Sequence, residues 1–203
     1  AASGLIPETP TRFSVAVNYT ALGIEHILLG IDHLLFVLAL LLLVKGVRLL
    51  VETITAFTIA HSFTLAAATL GWVHVRPGPV EAIIALSIVF VAQEIVHSRM
   101  GRPGLSERYP WLVAFTFGLL HGFGFAGALS ALGLPQNAIP IALLFFNVGV
   151  ELGQLLYVAA ILLLIAVLRR LPLVWPAWSY RIPAYGIGVI AMFWFIERTV
   201  KLF

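Results

Sequence analysis

Residues 20–44 read TALGIEHILLGIDHLLFVLALLLLV, and within them 23–36 hold two near-copies of one heptad, G-I-[E/D]-H-[I/L]-L-[L/F]. The run is long enough for a membrane helix, which needs about 20 mostly apolar residues. Yet it carries Glu25, His26, Asp32 and His33. On insertion scales, an ionisable residue at a helix centre costs roughly 2.5–3.5 kcal/mol. Four so close together are a large cost unless they bind something or line a wet cavity. The stretch therefore points to a membrane fold and to the place where function should be sought.

The rest of the chain agrees. Hydrophobic residues make up 61% and charged residues 10%, against about 25% charged in globular proteins. This excludes a soluble domain and predicts an all-α polytopic membrane protein. Six spans are expected, at about 20–44, 52–73, 80–98, 111–133, 138–168 and 183–200. Together they form a single transmembrane domain over 1–203, with 1–18 as an extracytoplasmic or interfacial segment. Charged, Gly and Pro residues punctuate the breaks, as in Arg76-Pro77-Gly78-Pro79 and Lys45-Gly46-Val47-Arg48. Lys45, Arg48, Arg99, Arg102, Arg108, Arg169, Arg170 and Arg181 lie in the loops after the first, third and fifth spans. Arg12, Arg76, Arg198 and Lys201 lie on the other side. The bias puts the odd loops in the cytoplasm and both termini outside it. Trp72, Trp111, Trp175, Trp178 and Tyr180 fall near span ends, as an aromatic belt would.

The chain has no cysteine, which excludes a thiolate metal site and a cysteine nucleophile. Its basic residues flank apolar runs, which indicates topology and a bilayer partner, not nucleic acid. Ala1-Ala2-Ser3 reads equally as the remainder of a cleaved signal peptide or as a trimmed start.

Depth along the spans groups the polar residues. With a rise of 1.5 Å per residue, His33, His61 and His121 lie about 16, 18 and 16 Å from the outer ends of their helices. Asn147 and Glu151 lie about 14 and 20 Å down theirs. His26 sits higher, about 6 Å down, on the same stripe as His33. Imidazole and carboxylate suit Ni²⁺, Co²⁺, Zn²⁺ or Fe²⁺. The expected metal set is His26, Asp32, His33, His61, His121 and Glu151. Glu25 stands at the outer mouth, and Asn147 and Gln154 support the ligands from α-helical positions beside Glu151. Glu94 and His97, an E-x-x-H pair near the other membrane face, form an exit. Each group has a plainer reading. A lone membrane histidine commonly bonds a neighbouring helix, and His61 lies in a polar ladder with Thr55, Thr58, Ser62 and Thr64 that would serve as glue. Asn147, Glu151 and Gln154 share one face and could clamp two helices. The glycines around His121 allow close helix packing.

The motif H-x5-D-H formed by His26, Asp32 and His33 resembles the signature of the HupE/UreJ family of nickel/cobalt permeases. The set GIDHLLF (30–36), FTIAHSFTL (57–65), FGLLHGFGFAGAL (117–129) and FNVGVELGQ (146–154) resembles the second branch of that family. The resemblance covers about residues 18–168. It implies a small polytopic protein of the bacterial inner membrane and divalent-metal uptake. It carries His26, Asp32 and His33 onto the first motif, and His121-Gly122 onto the histidine-glycine core of the second. In the permeases the second motif continues to a glutamate. Here Phe123-Gly124-Phe125-Ala126-Gly127-Ala128-Leu129 follows without an acid, and Glu151 on the next helix is a carboxylate that could replace it.

The leading expectation is thus a transporter or facilitator for a divalent transition metal ion (nickel, cobalt, zinc or iron), with enzymatic activity left open. The alternatives are an intramembrane metal-dependent enzyme, a haem-binding protein with paired histidine ligands, and a subunit of a membrane complex. A homo-oligomer or a partner membrane subunit is compatible with each.

Overall fold

The computed structural model describes residues 11–130, 138–171 and 181–203, with side chains from 125 to 130 excepted. Trp175, Trp178, Tyr180 and the first ten residues lie outside these ranges. All regular structure among the described residues is helical: α1 Arg12–Leu29, α2 Ile31–Leu43, α3 Val47–Thr69, α4 Pro77–Arg99, α5 Leu105–Arg108, α6 Pro110–Ser130, α7 Ile139–Leu168 and α8 Ile182–Val200. This is the fold of an α-helical polytopic membrane protein.

Three helices, α3, α4 and α7, are long and apolar enough to cross a membrane, and α1 with α2 adds a fourth if the pair is one broken span. A shorter apolar stretch covers Pro110–Gly124 of α6. At 30 residues, α7 is about 45 Å long. A hydrocarbon core of about 30 Å then requires it to tilt or protrude.

Local chemistry sets the ends. The Thr11 hydroxyl accepts from the Ser14 N–H at 3.2 Å and caps α1. Proline stands in the first turns of α4, α7 and α8, where a missing N–H costs no helical bond. Gly46 precedes α3 at φ 101°, a conformation that penalises any Cβ.

The first span corrects an expectation. Residues 20–44 were expected as one helix, but the chain forms two, bent by 74° at Gly30. Nothing continues the turn through Gly30 (φ −80°, ψ 89°), whose N–H still closes on the His26 carbonyl. A Cβ there would lie 2.7 Å from the His26 carbonyl oxygen and 2.8 Å from His33 Nδ1. Only glycine admits the ring so close to the break.

Two helix pairs place the core, α3 with α6 and α1 with α7, and α8 lies against α4. Glycine lets both pairs close to backbone contact. A Cβ at Gly149 would collide with the Thr20 carbonyl, and one at Gly122 with the Thr64 hydroxyl and the His61 carbonyl. This is the small-residue packing that membrane helices use, because lipid supplies no hydrophobic drive between them. One apolar cluster includes Phe36, Leu40, Ile54, Phe57 and Ile88. A second includes Ile27, Leu65, Phe146 and Val150.

Candidate metal centre

The histidines gather where the two apolar clusters meet. His26 lies in the last turn of α1 and His33 in the first turn of α2. The bend at Gly30 turns these two helix ends into one corner, with ring centroids 4.7 Å apart. His61 comes from α3, 6.2 Å from His26 and 6.4 Å from His33. Ligand nitrogens of His26, His33 and His61 all lie within 4.8 Å of one another, so the group could hold a metal ion. Tetrahedral Zn–N bonds of about 2.0–2.1 Å would separate such nitrogens by about 3.4 Å. Small side-chain rotations would therefore close the gap.

A fourth ring stands beside this group. His121 of α6 is 5.2 Å from His33 by ring centroids, and it is 1% exposed. Phenylalanine rings surround the four histidines. Phe57 stacks on His61 at 6.1 Å, Phe36 lies 5.3 Å from His121, and Phe146 lies 5.5 Å from His26. All three phenylalanines are fully buried.

Hydrogen bonds fix which nitrogen stays available in two of the rings, His61 and His121. Asn147 Nδ2 donates to the Leu143 carbonyl at 2.8 Å, so Asn147 Oδ1 is the atom 3.1 Å from His61 Nδ1. An amide oxygen only accepts. His61 Nδ1 therefore carries the proton, and Nε2 keeps a lone pair with no hydrogen-bond partner among the described residues. Ser87 repeats the logic on α4. Its hydroxyl donates to the Ile84 carbonyl at 2.7 Å, so it accepts from His121 Nε2–H at 3.2 Å. His121 Nδ1 is left as a buried lone pair, and His33 Nε2 is likewise buried without a partner among the described residues. Orienting partners of this kind hold metal-binding imidazoles in one tautomer.

Residues 5–198 match the family described as HupE / UreJ protein. The chain belongs to that family. No curated protein and no solved structure matches it.

In this HupE/UreJ chain the doubled heptad is divided between two helices, and that changes the role of its upper copy. A continuous helix would have kept His26 well above the other histidines. The bend brings it into the group with His33 and His61.

The carboxylates go elsewhere. Asp32 turns to α8, where Arg198 Nη2 binds both of its oxygens at 2.8 and 3.2 Å. Arg198 also donates to the Glu81 carbonyl at 2.9 Å and lies over the Trp194 ring. Glu151 accepts from the Thr55 hydroxyl at 2.6 Å, and Gln154 from the Thr58 hydroxyl at 3.1 Å. The polar ladder on α3 thus bonds α7, as the helix-glue reading expects. Glu25 is exposed. Glu94 is buried and accepts from the Ser106 N–H at 2.9 Å, which ties α5 to α4. His97 is half-buried on α4, and neither Glu94 nor His97 belongs to the histidine group.

Sequence reasoning missed Ser87 and the three phenylalanines, and it used Arg198 only for the charge bias that sets orientation. A serine is common in membrane helices, and no local pattern marks one that serves a histidine 34 residues away. Arg198 could have been questioned, because an arginine near an intramembrane aspartate is the natural counter-ion.

Proposed function

We propose that this HupE/UreJ protein carries a divalent transition metal ion across the membrane, binding it at His26, His33 and His61. The observation that supports this reading is the approach of three imidazoles from three helices, with ligand nitrogens within 4.8 Å. Neutral nitrogen donors suit nickel, cobalt, zinc or iron better than magnesium or calcium. The lone pair of His121 is the next stop along the path. Asn147 sets the tautomer of His61, and Ser87 that of His121.

On this reading Glu25 attracts the ion at the outer mouth, and Glu94 and His97 lie on its way out. Glu151 and Gln154 hold α3 against α7 beside the path. Asp32, paired with Arg198, lies next to His33 and supplies nearby negative charge. The helices form about six membrane-crossing units in a bacterial inner membrane, with both termini outside the cytoplasm.

The test is flux of Ni²⁺, Co²⁺ and Zn²⁺ into proteoliposomes loaded with a fluorescent chelator. Flux should fall to the protein-free background in the His33→Ala, His61→Ala double variant, with its helical content and gel-filtration profile unchanged. Wild-type flux from that variant would overturn the proposal.

Three imidazoles are also a protein donor set of catalytic zinc, which favours an intramembrane metalloenzyme as the second reading. Stoichiometric bound metal without flux would select it.

A further inference from the structure

Arg198 lies in the last turn of α8, and its guanidinium is held on three sides. Nη2 binds both Asp32 oxygens on α2, and Nη1 donates to the Glu81 carbonyl on α4. The guanidinium carbon stands 5.5 Å from the Trp194 ring centroid. A planar fork with so many partners stays in one position, which a lysine ammonium on its flexible stem would not.

Arg198 also lines a polar pocket of about 300 Å³, with Gly78, Glu81, Trp194, Glu197 and Lys201. The pocket sits at the start of α4 and the end of α8, the outer side on the proposed topology. At about 30 Å³ per water, it has room for a cation with six waters. Glu25 does not line it. The groups behind Arg198 belong to the histidine centre. Asp32 precedes His33 in the chain. Glu81 is six residues, or about 9 Å, along α4 from Ser87, whose hydroxyl holds His121. The Arg198 charge acts on the His121 ring. One ion pair thus stands between a pocket that fits a hydrated ion and the buried imidazoles.

This inference rests on the proposed passage of a metal ion. We propose that the α4/α8 pocket receives the hydrated divalent cation and that Arg198 is the gate between it and the histidines. Paired with Asp32, the guanidinium closes the way, because both carboxylate oxygens are occupied and a fixed positive charge repels cations in a narrow passage. The gate opens when the ion takes over Asp32. The guanidinium then turns to the Glu81 carboxylate, which lines the same pocket and whose backbone carbonyl Arg198 already holds. The attraction to Asp32 grows with charge, so a divalent ion competes with the single charge of the guanidinium better than sodium or potassium does.

The chain has no cysteine, so one introduced thiol reports access. Ser87→Cys places it beside His121, at a position 2% exposed. The full chain in detergent meets Ag⁺ in chloride-free buffer for timed intervals and is then denatured. The thiol still free is counted with a fluorescent maleimide. With Arg198→Ala added, Ag⁺ should block the thiol at least tenfold faster than with Arg198 in place. The control is Ala39→Cys, fully buried in α2, which should react equally slowly with either residue at 198. A third protein separates the gate from a merely structural ion pair. Asp32→Asn beside Arg198→Ala removes the unpaired carboxylate, which recovers stability but leaves the passage open. Its thiol at position 87 should react as fast as with Arg198→Ala alone. Equal rates with and without Arg198, a control that accelerates as much, or a return to the slow rate with Asp32→Asn would overturn the proposal. A wild type without metal flux in proteoliposomes would overturn the carrier reading whatever these rates are. A thiol indifferent to Arg198 would overturn the gate whatever the flux.

Discussion

At the scale of single residues, the site depends on which nitrogen of each ring carries a proton. Asn147→Leu removes the acceptor for His61 Nδ1–H and frees the ring to take either tautomer. Loss of such an orienting partner weakens metal binding by about 10–100-fold. Titration calorimetry with Ni²⁺ or Zn²⁺ should show a loss in that range, smaller than the loss from His61→Ala. A second residue-scale prediction concerns pH, outside the membrane helices. Lys45 Nζ donates to Glu107 at 2.6 Å, and with the Ser98 hydroxyl it holds the Glu107 carboxyl below its usual range. A lowered carboxyl stabilises the fold fully above its unfolded value, and that contribution is lost as pH falls through the folded value. Thermal unfolding in detergent should therefore separate wild type from Lys45→Ala at pH 7, and the separation should shrink as pH drops below about 4.3. Residue identity was legible from sequence, since an imidazole in an apolar run stands out. The tautomers were not, because they depend on atoms of other helices.

At the scale of elements, glycine decides which helices touch. Gly149→Val would force α1 away from α7, because its Cβ would fall on the Thr20 carbonyl. Overpacking of this kind costs about 1–3 kcal/mol, read as a lower unfolding midpoint in detergent. Gly186 is the contrast, with nothing within 4 Å of a Cβ built on it. Gly186→Ala should leave stability unchanged or raise it by about 0.4–1 kcal/mol. The helices themselves were readable from the sequence, because long apolar runs have few alternatives in a bilayer. The break at Gly30 was not. No proline marks it, and the helical pattern reads straight through residues 23–36. Position 30 requires glycine because the His33 ring and the His26 carbonyl occupy the space that any larger residue would need.

At the scale of the whole molecule, Arg198 joins three helices, through the Asp32 carboxylate on α2 and the Glu81 carbonyl on α4. Both members of the ion pair are largely sheltered, at 20% and 23% side-chain exposure. Arg198→Gln leaves Asp32 unpaired and should cost about 1–3 kcal/mol, between the values for exposed and buried pairs. Adding Asp32→Asn should recover part of that loss, and a double-mutant cycle on unfolding midpoints would measure the coupling. Composition by itself determined the solvent, and with it the all-helical class, since only internally bonded backbone survives in hydrocarbon. The sequence also determined the ligand chemistry, because the absence of cysteine leaves imidazole and carboxylate as donors. Only the tertiary structure decided which donors meet. It brought His26 down to His33 and His61 and gave Asp32 to Arg198. These choices rest on a 74° bend and on contacts between residues as much as 166 positions apart. No periodicity along one helix encodes such contacts.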